Sequence, residues 1–126
     1  MSQPSSPFWQ SPIAQLIGFV GGWLLISLVT LTPMEQLPAV AGSDKLHHVL
    51  GFAGWSLLCV FGPRRRFLLM ALVIFLWGGA IELIQPSVNR HGEWADFLAD
   101  GFGVLLVLLG VLLVSWFNKK VRKFSH

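Results

Sequence analysis

Four ionisable side chains, His48, Glu82, Asp96 and Asp100, stand inside or at the edge of apolar segments of this chain. A charge in such a setting is costly unless it faces a partner or a ligand. Their types admit three chemistries. An imidazole beside carboxylates makes an acid–base pair, for which His48, Glu82 and Asp96 are the catalytic candidates. The same groups could hold a divalent metal ion, although their spacing is not diagnostic of any particular metal. With Lys45 and Arg90 they could hold a phosphate or another anion, the cations facing the ligand and the acids orienting the cations.

Spacing groups these residues. Asp44 and His48 are four apart, as are Asp96 and Asp100, while Glu82 and Gln85 are three apart, so each pair shares a helical face. The candidate ligand-binding set is Asp44, Lys45, His48, Glu82, Gln85, Arg90, Asp96 and Asp100. No nucleophile elbow, glycine-rich phosphate loop or zinc-protease HExxH motif occurs, so the sequence leaves enzyme and binding protein both open and names no cofactor. Ser43 and Ser87 lie near the acids with nothing to mark them as activated, and Cys59, inside an apolar run, reads as a buried structural thiol.

The elements that position these groups follow from composition. Of 126 residues, 54% are hydrophobic and only 12% charged, where a soluble domain carries about 25% charged residues. Four apolar segments, 13–32, 46–61, 67–85 and 94–117, are expected to be transmembrane helices. Helices are the expected form because the segments lack the alternation of a membrane barrel. Spanning takes about 20 residues, so the second segment must borrow from its flanks or be buried by its neighbours. Pro33 and Pro38, then Gly62 and Pro63, then Pro86 punctuate the connections. The expected architecture is an all-α four-transmembrane-helix bundle, one domain over 13–117. A loose Ser/Pro-rich tail, 1–12, precedes it and a basic tail, 118–126, which includes His126, follows it. Ala39-Val40-Ala41 resembles a signal-cleavage box, but no Lys or Arg precedes the first run and the box lies well beyond its end, so the run is expected to stay attached.

Charge sorts by sign. Arg64, Arg65 and Arg66, and Lys119, Lys120, Arg122 and Lys123, flank helix ends on one side, which the positive-inside rule makes cytoplasmic together with both termini. All six acidic residues, Glu35, Asp44, Glu82, Glu93, Asp96 and Asp100, fall on the other side with Lys45, Arg90, His47, His48 and His91. The basic residues flank apolar runs and form no groove-reading pattern, so a nucleic-acid partner is not expected; membrane lipids are. Counting along the helices puts His48 about 20 Å above Phe61, Glu82 about 22 Å above Phe67 and Asp100 about 25 Å above Phe117, one common layer. Helices two and four point their N-termini at that layer and favour its anions, whereas helix three presents its C-terminus. Glu82 is therefore expected to seek a cation: Lys45, Arg90 or a protonated histidine. Gly18 and Gly22, and Ala95, Ala99 and Gly103, form small-residue ridges for close helix approach, read as intramolecular faces, with an oligomer or assembly role as the other possibility.

The ordered set Asp44-Lys45-x-x-His48-x-x-x-Phe52, Glu82-x-x-Gln85, Arg90, then Asp96, Asp100 and Gly103, resembles the VanZ-like family of small bacterial membrane proteins, over Asp44 to about Gly103. The family pattern usually has Asn where this chain has Asp100, which makes the present site more acidic or keeps one acid protonated. The resemblance implies a multi-pass protein of the bacterial inner membrane with an envelope role associated with teicoplanin resistance, and a lipid or lipid-linked cell-wall precursor as partner. A polar pocket that binds an anionic headgroup is the expected function, with a membrane-embedded hydrolase, metal-dependent or not, and a structural subunit as alternatives.

Overall fold

The computed structural model describes residues 4–38 and 42–125. It contains four α-helices and, among the described residues, no strand: α1 (Pro12–Leu31), α2 (Asp44–Leu58), α3 (Arg64–Ile84) and α4 (Trp94–Phe124). Ala39-Val40-Ala41 and His126 lie outside the described residues.

Local chemistry sets the helix ends. Ser11 accepts the Ala14 N–H at 3.1 Å and Pro12 occupies the first turn, where its missing N–H is not needed. Ser43 caps α2 in the same way, accepting the Leu46 N–H, and Asp44 sits at the positive end of that helix. Gly62 turns the chain between α2 and α3 with φ +127°, a conformation open to glycine at no steric cost. Beyond α3, Pro86 sits in a 3-10 turn over Gln85–Val88, and Asn89 closes it in the left-handed region with φ 57°.

The helices run alternately up and down. Gln15 near the start of α1 donates to the carbonyls of Cys59 and Pro63 at the end of α2, at 2.9 and 3.0 Å. The Trp55 indole donates to Phe19 O at 2.9 Å, so α1 and α2 are antiparallel. Trp77 on α3 meets Ser27, and Gln85 meets Thr30 O, so α3 runs parallel to α1. Phe97 of α4 packs on Phe75 of α3 with ring centroids 4.8 Å apart, and Gly103 of α4 rests on the backbone of Val49 and Ala53. Both α1 and α4 touch α2 and α3 but, among the described residues, not each other. The core is Phe52, Trp55, Cys59, Phe67, Ala71, Ile74, Ile81, Val104 and Val107.

Around this core the surface is covered by exposed Leu, Ile, Val and Phe side chains from all four helices. So much contiguous apolar surface suits a lipid solvent and not water. Among the described residues three helices are long and apolar enough to cross a membrane: α1, α3 with its following turn, and α4. With 15 residues, α2 is only about 22 Å long, short of the about 30 Å hydrocarbon core. It takes the second course open to a short segment: His48, Phe52, Trp55 and Ser56 are buried by the neighbouring helices.

Some expected boundaries move. The basic segment after residue 117 is not a separate tail: α4 continues through it to Phe124, with Arg122 and Lys123 in its last turn, where cations oppose the helix dipole favourably. The N-terminal segment forms a 3-10 turn at Phe8–Gln10. Arg64, Arg65 and Arg66 belong to the first turn of α3. Gly18 and Gly22 face Leu58 and the Trp55 ring, so that ridge is used within the chain. Ala99 is buried beside Gly103, whereas Ala95 is exposed.

Candidate functional site

One end of the bundle collects the C-terminal turn of α3 and the N-terminal turns of α2 and α4. Gly103 makes this possible between α2 and α4: a Cβ there would strike the Val49 carbonyl, and the absence of one lets the helices approach closely enough for side chains one turn away to pair. His48 Nδ1 and Asp100 Oδ1 share a hydrogen bond at 2.7 Å. On its far side, Nε2 lies 3.6 Å from Asp96 Oδ2 and 3.9 Å from Asp44 Oδ1. The ring is thus held between carboxylates, and His48, Asp96 and Asp100 are all buried.

Lys45, one residue outside the predicted second span, bonds Glu93 Oε2 at 2.6 Å and also bonds Asp96 Oδ1, with Asp44 Oδ2 at 3.9 Å. The carboxylates of Asp96 and then Glu93 raise the lysine above its ordinary value of 10.5. The ion pairs are therefore fully formed below the ordinary value and are lost only as pH climbs through the raised one. Lys45 should accordingly react with an amine-directed acylating reagent at pH 10 more slowly than the exposed Lys119 and Lys120. Equal labelling, read by peptide mass spectrometry, would show that the pairing does not hold in solution.

Glu82 departs from expectation. Among the described residues no lysine, arginine or histidine forms an ion pair with it; its Oε2 accepts the Glu93 backbone N–H at 2.7 Å. The N-terminus of α4 supplies positive partial charge in place of a side-chain cation. Gly92 permits this, because a Cβ there would collide with the Glu82 carbonyl. Neither Gly92 nor Glu93 belongs to the candidate set read from the sequence; Glu93 just before an apolar run is an N-terminal signal that pointed to the helix start and not to the site.

The remaining two candidates turn away. Gln85 donates to Thr30 O at 3.0 Å, and Arg90 Nη1 donates to Thr32 O at 3.1 Å, so both tie α3 and its following turn to the end of α1. Asp44, Lys45, His48, Glu82, Asp96 and Asp100 are brought together, whereas Gln85 and Arg90 bond the end of α1. Ser43 and Ser87 are absorbed in local bonds, to Leu46 N and Ile84 O, and Cys59 is a buried free thiol against Trp55 O.

Among the described residues two overlapping sets have ligand atoms within 4.8 Å of one another, Asp44–His48–Asp96 and His48–Glu82–Asp100. Chemically the cluster can orient an imidazole, hold a cation, or present Lys45 at its rim. Fold and site together define an all-helical membrane protein with an acid–histidine cluster at one end. No family model, curated protein or solved structure matches the chain.

Proposed function

We propose that this chain is a VanZ-like, four-span protein of the bacterial inner membrane, both termini cytoplasmic, that binds the headgroup of an anionic lipid or lipid-linked cell-wall precursor at its outer face. Through that binding it contributes to the envelope's resistance to glycopeptides such as teicoplanin. The observation that carries the reading is the gathering of Lys45, His48, Asp96 and Asp100, from the ordered motifs of α2 and α4, into one cluster: Lys45 bonds Asp96, His48 pairs with Asp100, and His48 Nε2 lies 3.6 Å from Asp96. The carboxylates orient Lys45 and His48, the role that reading gives them.

The opposite end supports the orientation. Three arginines in the first turn of α3 meet the unfavourable end of its dipole with no acidic residue in that turn, and anionic lipid phosphates on the cytoplasmic leaflet would offset this. Lys120 lies 5.0 Å over the Trp116 ring, an interfacial pairing of cation and aromatic.

Because acids outnumber cations around Lys45, the weight of phosphate recognition falls on Arg90. Losing a charged hydrogen bond is worth about 1.5–3 kcal/mol, about tenfold or more in affinity. Arg90→Gln should reduce retention of phosphatidylglycerol or polyprenyl phosphate by that factor in native mass spectrometry of the detergent-solubilised protein, while Arg66→Gln does not. Unchanged retention in Arg90→Gln would sink the reading. The hydrolase alternative has one specific observation in its favour, an imidazole clasped between Asp100 and Asp96; release of inorganic phosphate from polyprenyl phosphate in the same preparation separates the two.

A further inference from the structure

The outer set of potential metal ligands, Asp44, His48 and Asp96, is already supplied with a cation, because the Lys45 ammonium bonds Asp96 and lies near Asp44. The inner set, His48, Glu82 and Asp100, is not. Among the described residues no lysine or arginine forms an ion pair with Glu82 or Asp100. Each of these two carboxyl groups spends one oxygen, Glu82 Oε2 on the Glu93 N–H and Asp100 Oδ1 on His48. The second oxygens, Glu82 Oε1 and Asp100 Oδ2, are buried with no partner. Asp100 is fully buried and Glu82 is 5% exposed, so water does not serve them as it would at a surface, and an unmet acceptor at that depth is costly.

Gly78 makes the room that Asp100 Oδ2 occupies. A Cβ on Gly78, one turn below Glu82 on α3, would lie 2.8 Å from Asp100 Oδ2. Glycine at that position lets the carboxylate lie against the α3 backbone beside Glu82.

We propose that His48, Glu82 and Asp100 bind one divalent transition-metal ion, through an imidazole nitrogen and one oxygen from each carboxylate. Two carboxylates balance the ion's charge, which a buried site requires. The imidazole favours zinc over calcium and magnesium, which prefer all-oxygen shells, and the two carboxylates also suit manganese. The three ligand atoms already lie within 4.8 Å of one another, so closing on an ion at about 2.0–2.2 Å asks for side-chain rotation and no helix movement. Loading releases the proton that His48 shares with Asp100. The inference shares His48 and Asp100 with the headgroup reading, but its test turns on Glu82 and Asp100, whereas the headgroup test turns on Arg90.

The test uses the full chain in detergent micelles, stripped with a chelator, titrated with Zn²⁺ or Mn²⁺ alone, desalted, and measured by elemental analysis and Mn²⁺ paramagnetic resonance. About one retained ion per chain is expected, with retention at least about tenfold weaker in Glu82→Gln and in Asp100→Asn and unchanged in Glu35→Gln. Helical circular dichroism and gel filtration check that each variant is folded, and the two ligand variants are read independently. No retained ion in the wild-type chain overturns the proposal. So does retention that survives both ligand variants, or that is lost in Asp44→Asn and kept in Glu82→Gln and Asp100→Asn, which would place the ion in the outer set.

Discussion

His48→Ala should destabilise the bundle by about 3–5 kcal/mol, the usual result of removing one partner from a buried charged pair. Asp100 is fully buried, its Oδ2 has no partner, and its Oδ1 depends on the 2.7 Å bond from His48. Truncation leaves that carboxyl group with neither oxygen bonded and opens a cavity beside Asp96 in addition. The double variant His48→Leu/Asp100→Leu should recover most of the loss, since apolar side chains of comparable size often replace a buried pair without penalty. Unfolding by SDS in mixed micelles, followed by circular dichroism, measures both. A single variant as stable as wild type would mean the pair contributes nothing to stability. A double variant no better than the single would locate the loss in packing. The size of this effect also explains why Arg90, and not His48, is the better probe of headgroup retention: the half-buried Arg90 bonds a backbone carbonyl and can be changed without leaving a buried charge unpaired.

Gly103→Ala is also expected to be damaging, costing about 1–3 kcal/mol as overpacking does elsewhere. Two effects oppose each other here. Alanine is the better helix former by about 1 kcal/mol, which by itself would stabilise α4. Against this, the new methyl would strike the Val49 carbonyl and come within 3.0 Å of Ala53 N. Those are backbone atoms of α2 that cannot swing aside, so the helices must separate and the clash wins. Gly110→Ala is the matched control, because nothing lies within 4 Å of a Cβ at that position; it should be neutral or slightly stabilising. The same SDS titration reads both. Equal stability of the two variants would show that α2 and α4 are not held at the distance described.

Separation of α2 from α4 reaches the polar cluster directly. Val49 follows His48 in α2, and Gly103 lies three residues beyond Asp100 in α4, so the glycine contact and the His48–Asp100 bond share one seam. Small residue and ionisable pair form one device, the first setting the distance at which the second can bond.

The sequence by itself determined the helices and the layer. Hydropathy gives four apolar segments because lipid tolerates only segments whose backbone bonds are satisfied internally, and helical rise places His48, Glu82 and Asp100 at one depth. Spacing of three or four residues determined which side chains share a helical face. It could not determine which neighbour that face meets. Glu82 and Gln85 lie three residues apart, which leaves about 60° between them around α3. That angle suffices to send Glu82 toward α4 and Gln85 toward α1, because those two helices flank α3 without touching each other. Tertiary structure alone decided that Arg90 follows Gln85 to the end of α1, that the Glu93 backbone serves Glu82 in place of a cation, and that Lys45 joins Glu93 and Asp96. The physical reason is that depth and face are properties of one helix, readable along its own sequence. The partner of a buried charge is fixed by the packing of several helices at once.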